Sequence, residues 1–457
     1  MDRSCGAGRV FDIVVKNAQG PETGSRKALR ALRFRDFRLI AIGNMVSEMG
    51  TWMQYVALGW VARELTSDTL LISIVFGVQW LPYLVLSPIT GVIADRLDRR
   101  KIIFWGNIAM ILPALALGLM IQTERLTMFW LIVLVTLGGA AQACTRPAGM
   151  AFIPALVPNE DLHSAVALNA GMSSSTRVIG PAIGGFLVSS WGVAWGFHIN
   201  AVSFLAVSFA CLAVRTRVPK PVPTKTSVAQ EMGLGIAYLR DNRAAMRIVI
   251  LMTAITFPLM QAGLMSIMAK DVLHGDAKTY GLLSAGPGFG FVVAAVLTAT
   301  LTTDHRRTIW MFFTGAGTGV ALLIIGLSRS IPLTTVGTAL FGACFMTVNT
   351  LASTLLLATS DDEYRGRVMG LFGMVSTGVF AINSVLGGAI ASFIGAPITI
   401  WLCGLTVIVA VALFAYTGTL KVIRDGLEVR ARERAELDAA TEMLSAADTD
   451  RVAHSPA

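Results

Sequence analysis

Residues 91–101 read GVIADRLDRRK, a knot of charge set between two long apolar runs, LLISIVFGVQWLPYLVLSPIT at 70–90 and IIFWGNIAMILPALALGLMI at 102–121. Each run is about long enough to cross the roughly 30 Å hydrocarbon core of a bilayer as a helix. Backbone in lipid must satisfy its own polar groups, so both runs are expected to be helices and the knot a tight turn at a membrane face. Arg96, Arg99, Arg100 and Lys101 lie in that turn. A short loop with so many basic residues stays in the cytoplasm, and this orients every other span.

Composition agrees. The 457 residues are 54% hydrophobic and 14% charged, and mean hydropathy is +0.66, too apolar for an ordinary soluble domain. The chain reads as an all-α polytopic membrane protein. Its first 36 residues are polar and lack the apolar core of a cleavable signal peptide, so the N-terminus is expected inside. The net charge of +9 reports topology rather than nucleic-acid binding. Of 37 Lys and Arg, 30 fall in segments expected in the cytoplasm, five outside (Arg63, Arg125, Lys270, Lys278, Arg329) and two within spans. Cys5, Cys144, Cys211, Cys344 and Cys403 have no metal-like spacing, and four of them lie in apolar runs. Neither a disulfide, a metal nor another cofactor is expected. No glycine-rich loop ending in Lys-Ser/Thr is present, and GPGFG at 286–290 and GAGTG at 315–319 sit inside apolar runs. Without a catalytic triad or a metal cluster, the chain does not read as an enzyme.

Twelve apolar runs can be placed, at about 37–62, 69–94, 101–122, 127–155, 163–190, 193–214, 246–269, 278–302, 307–327, 331–358, 366–393 and 397–418. An even number returns the C-terminus to the cytoplasm. The one long polar break divides the chain into a cytoplasmic segment at 1–36, a six-helix bundle at 37–214, a linker at 215–245, a second bundle at 246–418 and a tail at 419–457. The halves look like copies. An offset of 203 lays RVIGPAIGGFLVSSWG, from Arg177, over FAINSVLGGAIASFIG, from Phe380, and sets Gly139 on Gly342. An offset of 207 brings Arg63 and Glu64 onto Lys270 and Asp271, and Arg99 and Arg100 onto Arg306 and Arg307. Two such repeats build a site at the membrane midplane. The tail, with alternating charge at helical spacing, reads as a solvated helix without a transport role.

Charged residues inside spans are costly and mark function or pairing. Three lie well inside: Glu48, Arg146 and Arg177. At about 1.5 Å per residue, Glu48 lies roughly 16 Å into the first span and Arg177 roughly 21 Å into the fifth, both near the midplane. Opposite charges at one depth can pair, and protonating Glu48 would break the pair. Glu48 is therefore the candidate proton-coupling carboxyl, with Arg177 setting its affinity; a purely structural ion pair, or direct contact of Glu48 with a cationic substrate, are the other readings. Arg146, beside Pro147, either snorkels or meets an anionic substrate. The fifth span also carries Gly171, Gly180, Pro181, Gly184 and Gly185, which suit close helix approach and a bend. Polar residues such as Asn44, Gln79, Asn200 and Asn383 also fall within spans.

Several of these stretches resemble the major facilitator superfamily. Gly91, Asp95, Arg96, Arg99 and Arg100 match its loop between helices two and three, with Asp98 where the pattern usually has a second glycine. The fifth-span glycines resemble its motif of drug and proton antiporters. ALRFRDFRLIAIGNMVSEMGTWMQYVALGW, PALVPNEDLHSAVALN with RVIGPAIGGFL, and INAVSFLAV look like the branch containing the enterobactin exporter and macrolide efflux proteins. An acidic residue often found near Thr51 in that branch is missing, and Glu48 lies just under one turn earlier. The resemblance implies a monomeric bacterial inner-membrane exporter of an amphipathic small molecule (drug, macrolide or siderophore), driven by protons through alternating access. The same fold also serves importers and facilitators. Helices one, four, seven and ten line the cavity in that superfamily, which makes Gln54, Gln142, Gln261 and Asn349 the substrate-cavity candidates. Asp95 is then a gate residue, drawn to the positive end of the eleventh helix when the halves close on the cytoplasmic side.

Overall fold

The computed structural model describes residues 30–216, 228–258, 262–301, 303–361, 363–374, 376, 379–433 and 436, and of residues 83–84, 87–89, 91–96, 151, 154, 159, 163, 228–229, 231, 262 and 379 the backbone alone. Among them, helices follow one another in twelve long rods. They are α1 Arg35–Leu65, α2 Thr69–Arg96, α3 Arg99–Gln122, α4 Met128–Phe152, α5 Leu162–Trp191 and α6 Val193–Ala213 in the first half. The second half holds α7 (Arg243–Thr256, then Ala262–Ile267 with a π turn at Met268–Val272), α8 Ala277–Thr300, α9 Asp304–Leu327, α10 Ile331–Thr359, α11 (Arg365–Gly373, then Val379–Ile394) and α12 Ala396–Tyr416. Seven rods (α3, α4, α6, α8, α9, α10 and α12) are each long and apolar enough to cross a bilayer unaided. The end bearing Arg99, Arg100, Lys101, Arg306 and Arg307 is here called the basic face.

The charged knot is a tight turn. Helix α2 runs on through Arg96 and α3 starts at Arg99, so only Leu97 and Asp98 are non-helical. Asp98 explains the sharpness: its carboxylate accepts from the Arg100 amide at 3.0 Å and caps α3. The side chains of Gly91, Asp95 and Arg96 lie outside the described residues.

The internal repeat is visible as matching backbone. Gly192 (φ 94°) joins α5 to α6, and Gly395 (φ 84°) joins α11 to α12, each in a conformation that L side chains rarely adopt. A Cβ on Gly139 would strike the Gln79 carbonyl of α2, and one on Gly342 would strike the Pro287 carbonyl of α8. The same crossing is thus built twice, once in each half.

Two polar clamps lie at the basic face, one within each half. In the first, Asp36 at the start of α1 accepts from the Arg215 amide (2.9 Å), the Thr216 amide (2.7 Å) and the Thr216 hydroxyl (2.6 Å), holding the strand that leaves α6. Burial pushes this carboxyl up, but those bonds and the Arg35 charge outweigh it and hold it below its ordinary value. A depressed carboxyl stabilises the fold above its unfolded pKa, and that contribution is lost as pH falls through the folded value. Asp36→Asn is therefore expected to cost about 1–3 kcal/mol near neutral pH. In thermal melts of the purified protein, the gap to wild type should shrink below about pH 4; a gap independent of pH would contradict the assignment.

The second clamp corrects the reading of the tail. The linker holds a helix, Val228–Asp241, and the tail is helical from 419 to 433 and docked rather than freely solvated. Ile423 is fully buried, and Arg430 bridges Asp361 and Glu433. Tyr238 of the linker helix stacks on Tyr364 with centroids 4.5 Å apart, and its hydroxyl accepts from the Asp361 amide at 2.9 Å. The alternating charges of the tail are spent in part on this contact, with its apolar side turned to the bundle.

Candidate transport site between the halves

The halves meet along α5–α8 and α2–α11, and the contacts concentrate at the end away from the basic face. There Arg63 of α1 grips Asp271 of α7 with two bonds (Nε to Oδ2 2.9 Å, Nη2 to Oδ1 2.7 Å), and Lys270 lies 5.3 Å from the ring centre of Trp60. These are the positions that the 207-residue offset superposes, now facing each other across the molecular axis. Fully buried Tyr280 of α8 fills the space left by Gly59 of α1. The Ser384 hydroxyl of α11 donates to the Ser73 carbonyl of α2 at 2.7 Å. A partly exposed ion pair contributes about 1 kcal/mol or less, so most of this closure rests on helix packing. Helix backbones meet at Gly185 and Gly281, where a Cβ on Gly185 would stand 2.7 Å from the Gly281 Cα. Toward the basic face, Gly149 of α4, Gly171 of α5 and Gly370 of α11 have no described residue within 4 Å of where a Cβ would be.

Glu48 and Arg177 come together at mid-depth, though not as a direct pair. Counting from the basic-face ends of α1 and α5, Glu48 and Arg177 lie about 20 and 22 Å in. Glu48 Oε2 accepts from the Thr176 hydroxyl at 3.1 Å. The Arg177 guanidinium instead lies between two rings, 5.7 Å from the centre of Trp52 and 5.5 Å from that of Phe291. Trp52 belongs to the first half and Phe291 to the second, so one cation bridges them. Such contacts are worth about 2 kcal/mol when water is excluded. Glycines set this geometry: Gly180 leaves room for Trp52, whose Cβ would be 2.6 Å from an added Cβ, and Gly288 lets α8 approach the Arg177 carbonyl. Glu48, one turn before Trp52 on α1, lies close enough for its charge to act on Arg177. The arrangement offers a carboxyl at mid-depth, a neighbouring cation, and an aromatic contact between the halves that depends on where that cation sits.

The other expected residues divide. Gly180 and Gly184 pack on α1 and Gly185 on α8, while Gly171 packs on no described residue; α5 runs helical through Pro181. Gln54 accepts from the Asn200 amide at 2.7 Å. With Gln142, Gln79 and Thr51 these line a cavity of about 40 Å³ whose walls all belong to the first half. Gln54 and Gln142 thus turn into the interior of that bundle rather than toward the second half. Asn349 of α10 donates to Ser376 at 3.4 Å. Arg146 is exposed near the basic-face end of α4, and Gln261 lies outside the described residues. In the gate loop, Arg100 donates to the Leu212 carbonyl at 2.7 Å, joining α3 to the end of α6, and Arg99 is half-buried. Sequence reasoning missed Thr176, Trp52 and Phe291. The available signal was Trp52 four residues after an acid inside an apolar run and Phe291 three after a helix glycine.

Comparison with known proteins fits this architecture. Over 388 residues the chain is 24% identical to macrolide efflux protein A of Streptococcus pyogenes, covering 82% of this chain and 94% of that protein. It is 25% identical over 365 residues to the enterobactin exporter EntS of Shigella boydii, covering 79% and 86%. The crystal structure of the nucleoside transporter NupG superposes with a TM-score of 0.66 over 85% of this chain and 99% of that one, at 12% identity, which shows a shared fold. Residues 26–442 match the family described as transmembrane secretion effector (MFS_3). With that match spanning both halves, the chain belongs to this family of major facilitator superfamily transporters.

Proposed function

We propose that the protein exports an amphipathic small molecule in exchange for protons, by alternating access, from a bacterial inner membrane with both termini in the cytoplasm. The observation that carries this reading is the mid-depth constellation of Glu48, Thr176, Arg177, Trp52 and Phe291, beneath an end already closed by Arg63–Asp271. With the basic face cytoplasmic, the open end of the cleft faces the cell interior, where an exporter loads. Protonation of Glu48 removes the charge opposite Arg177 and frees that cation to shift, loosening its bridge between Trp52 and Phe291. The named relatives act on a macrolide and on enterobactin, which sets the first substrates to try.

Inverted membrane vesicles from expressing cells test the direction. They should accumulate a radiolabelled macrolide or a catecholate siderophore when their interior is acidified, and lose it on addition of a protonophore. Accumulation only in right-side-out vesicles would make the protein an importer, and uptake indifferent to the protonophore would remove the proton coupling.

A further inference from the structure

A cavity of about 340 Å³ opens at the basic-face turn between α8 and α9, and no residue of the transport site lines it. Leu297, Thr300 and Leu301 line it from the end of α8, and Arg306, Ile309 and Trp310 from the start of α9. Thr300, Arg306 and Trp310 are exposed. Charge around it is unevenly spent. Arg307 pairs with Asp304 at 2.7 Å and also donates to the Leu301 carbonyl at 3.0 Å, so these two charges cancel and order the turn. Arg306 makes no hydrogen bond or ion pair with the other described residues. By the 207-residue offset its counterpart turn in the first half holds Arg99 and Arg100, and Arg100, like Arg307, donates to a backbone carbonyl, that of Leu212. Thr303, at the cap of α9, makes no side-chain cap bond, which leaves the positive helix end turned toward the same place.

We propose that this cavity binds the phosphate of an anionic phospholipid from the cytoplasmic leaflet. Arg306 holds the headgroup, and the upper acyl chain lies along Leu297, Leu301, Ile309 and Trp310. Depth supports a lipid over a free phosphate. Trp310 lies one helical turn, about 6 Å, further into the membrane than Arg306, which matches an interfacial aromatic below a headgroup-level cation. A soluble anion would leave the apolar wall unused. The position also gives the lipid leverage, because α8 carries Phe291, Gly281 and Gly288 to the other half; a lipid anchoring its end steadies the helix on which the halves turn.

Melting of the full-length purified protein in a non-ionic detergent tests this, with added phosphatidylglycerol or phosphatidylcholine and native mass spectrometry to count bound lipid. Phosphatidylglycerol should raise the midpoint by roughly 3 °C or more and remain bound at one copy that Arg306→Gln loses and Arg306→Lys retains. Lys101→Gln, an exposed basic residue in the counterpart turn, should leave both readouts as in wild type. The proposal is overturned if Arg306→Gln keeps the shift and the bound copy, if Lys101→Gln loses them equally, if phosphatidylcholine serves as well, or if soluble glycerol phosphate reproduces the shift. Bound-lipid counts decide the matter even if Arg306→Gln changes the lipid-free midpoint.

Discussion

A Glu48→Gln variant is expected to bring its substrate to equal concentrations across the membrane and no further. A pH difference of one unit supplies about 1.4 kcal/mol per proton, enough to sustain a tenfold concentration ratio if one proton is exchanged per substrate. Glutamine keeps the size of the side chain and can still accept from Thr176, so the 3.1 Å contact and the packing around it survive. It cannot titrate. In proteoliposomes with an imposed one-unit gradient, the accumulation ratio should therefore fall from about 10 toward 1, while counterflow between equal substrate pools continues. Loss of counterflow along with accumulation would point to a binding role for Glu48, and unchanged accumulation would remove it from the coupling.

The expected change in Arg177 follows from the same geometry. Among the described residues its guanidinium has no carboxylate in contact, and it rests on Trp52 and Phe291. Where an ion pair would lock a charge in place, two rings hold it by a weaker and less directional attraction. A modest change in the field from Glu48 is then enough to shift it. This is a different device from the direct pair that the two charges, read at equal depth in the sequence, had implied.

Much of the fold was legible because bilayer physics leaves few choices. Apolar length fixed the rods, the concentration of Lys and Arg on one side of them gave a topology, and glycines at constant offset exposed the duplication. Gly192 and Gly395 then proved to share a rare backbone conformation, so the repeat carries three-dimensional meaning. Arg63 and Asp271 were recognised as copies of Lys270 and Glu64; their contact across the axis was not, since an offset says which positions correspond and nothing about which ones touch. The tight turn was legible from its charge and flanking runs, and at Asp98 a capping carboxylate closes it where a glycine is the familiar solution. Gln54 and Gln142 were assigned to the cleft by helix number alone. Helix number gives proximity to the axis, while the rotation of a rod about its own axis depends on packing, here on Asn200 drawing Gln54 inward. The tail was misread for a related reason: charge alternation marks a wet face, and the buried side of the same helix, centred on Ile423, carries the docking.

Rocking of two rigid halves, closed at the Arg63 end in the state seen here, is the claim on which the transport account stands. Replacing the five native cysteines and placing new ones at Arg63 and Asp271 puts a thiol on each half at the closed end, where the native side chains touch at 2.7 Å. Removing the ion pair costs about 1 kcal/mol or less, so the reduced double variant should transport at a rate close to wild type. Joining the thiols with a short bifunctional reagent should abolish transport almost completely, and a reagent cleaved by reduction should allow it to return. Sustained transport with the two positions covalently joined would contradict alternating access through this end.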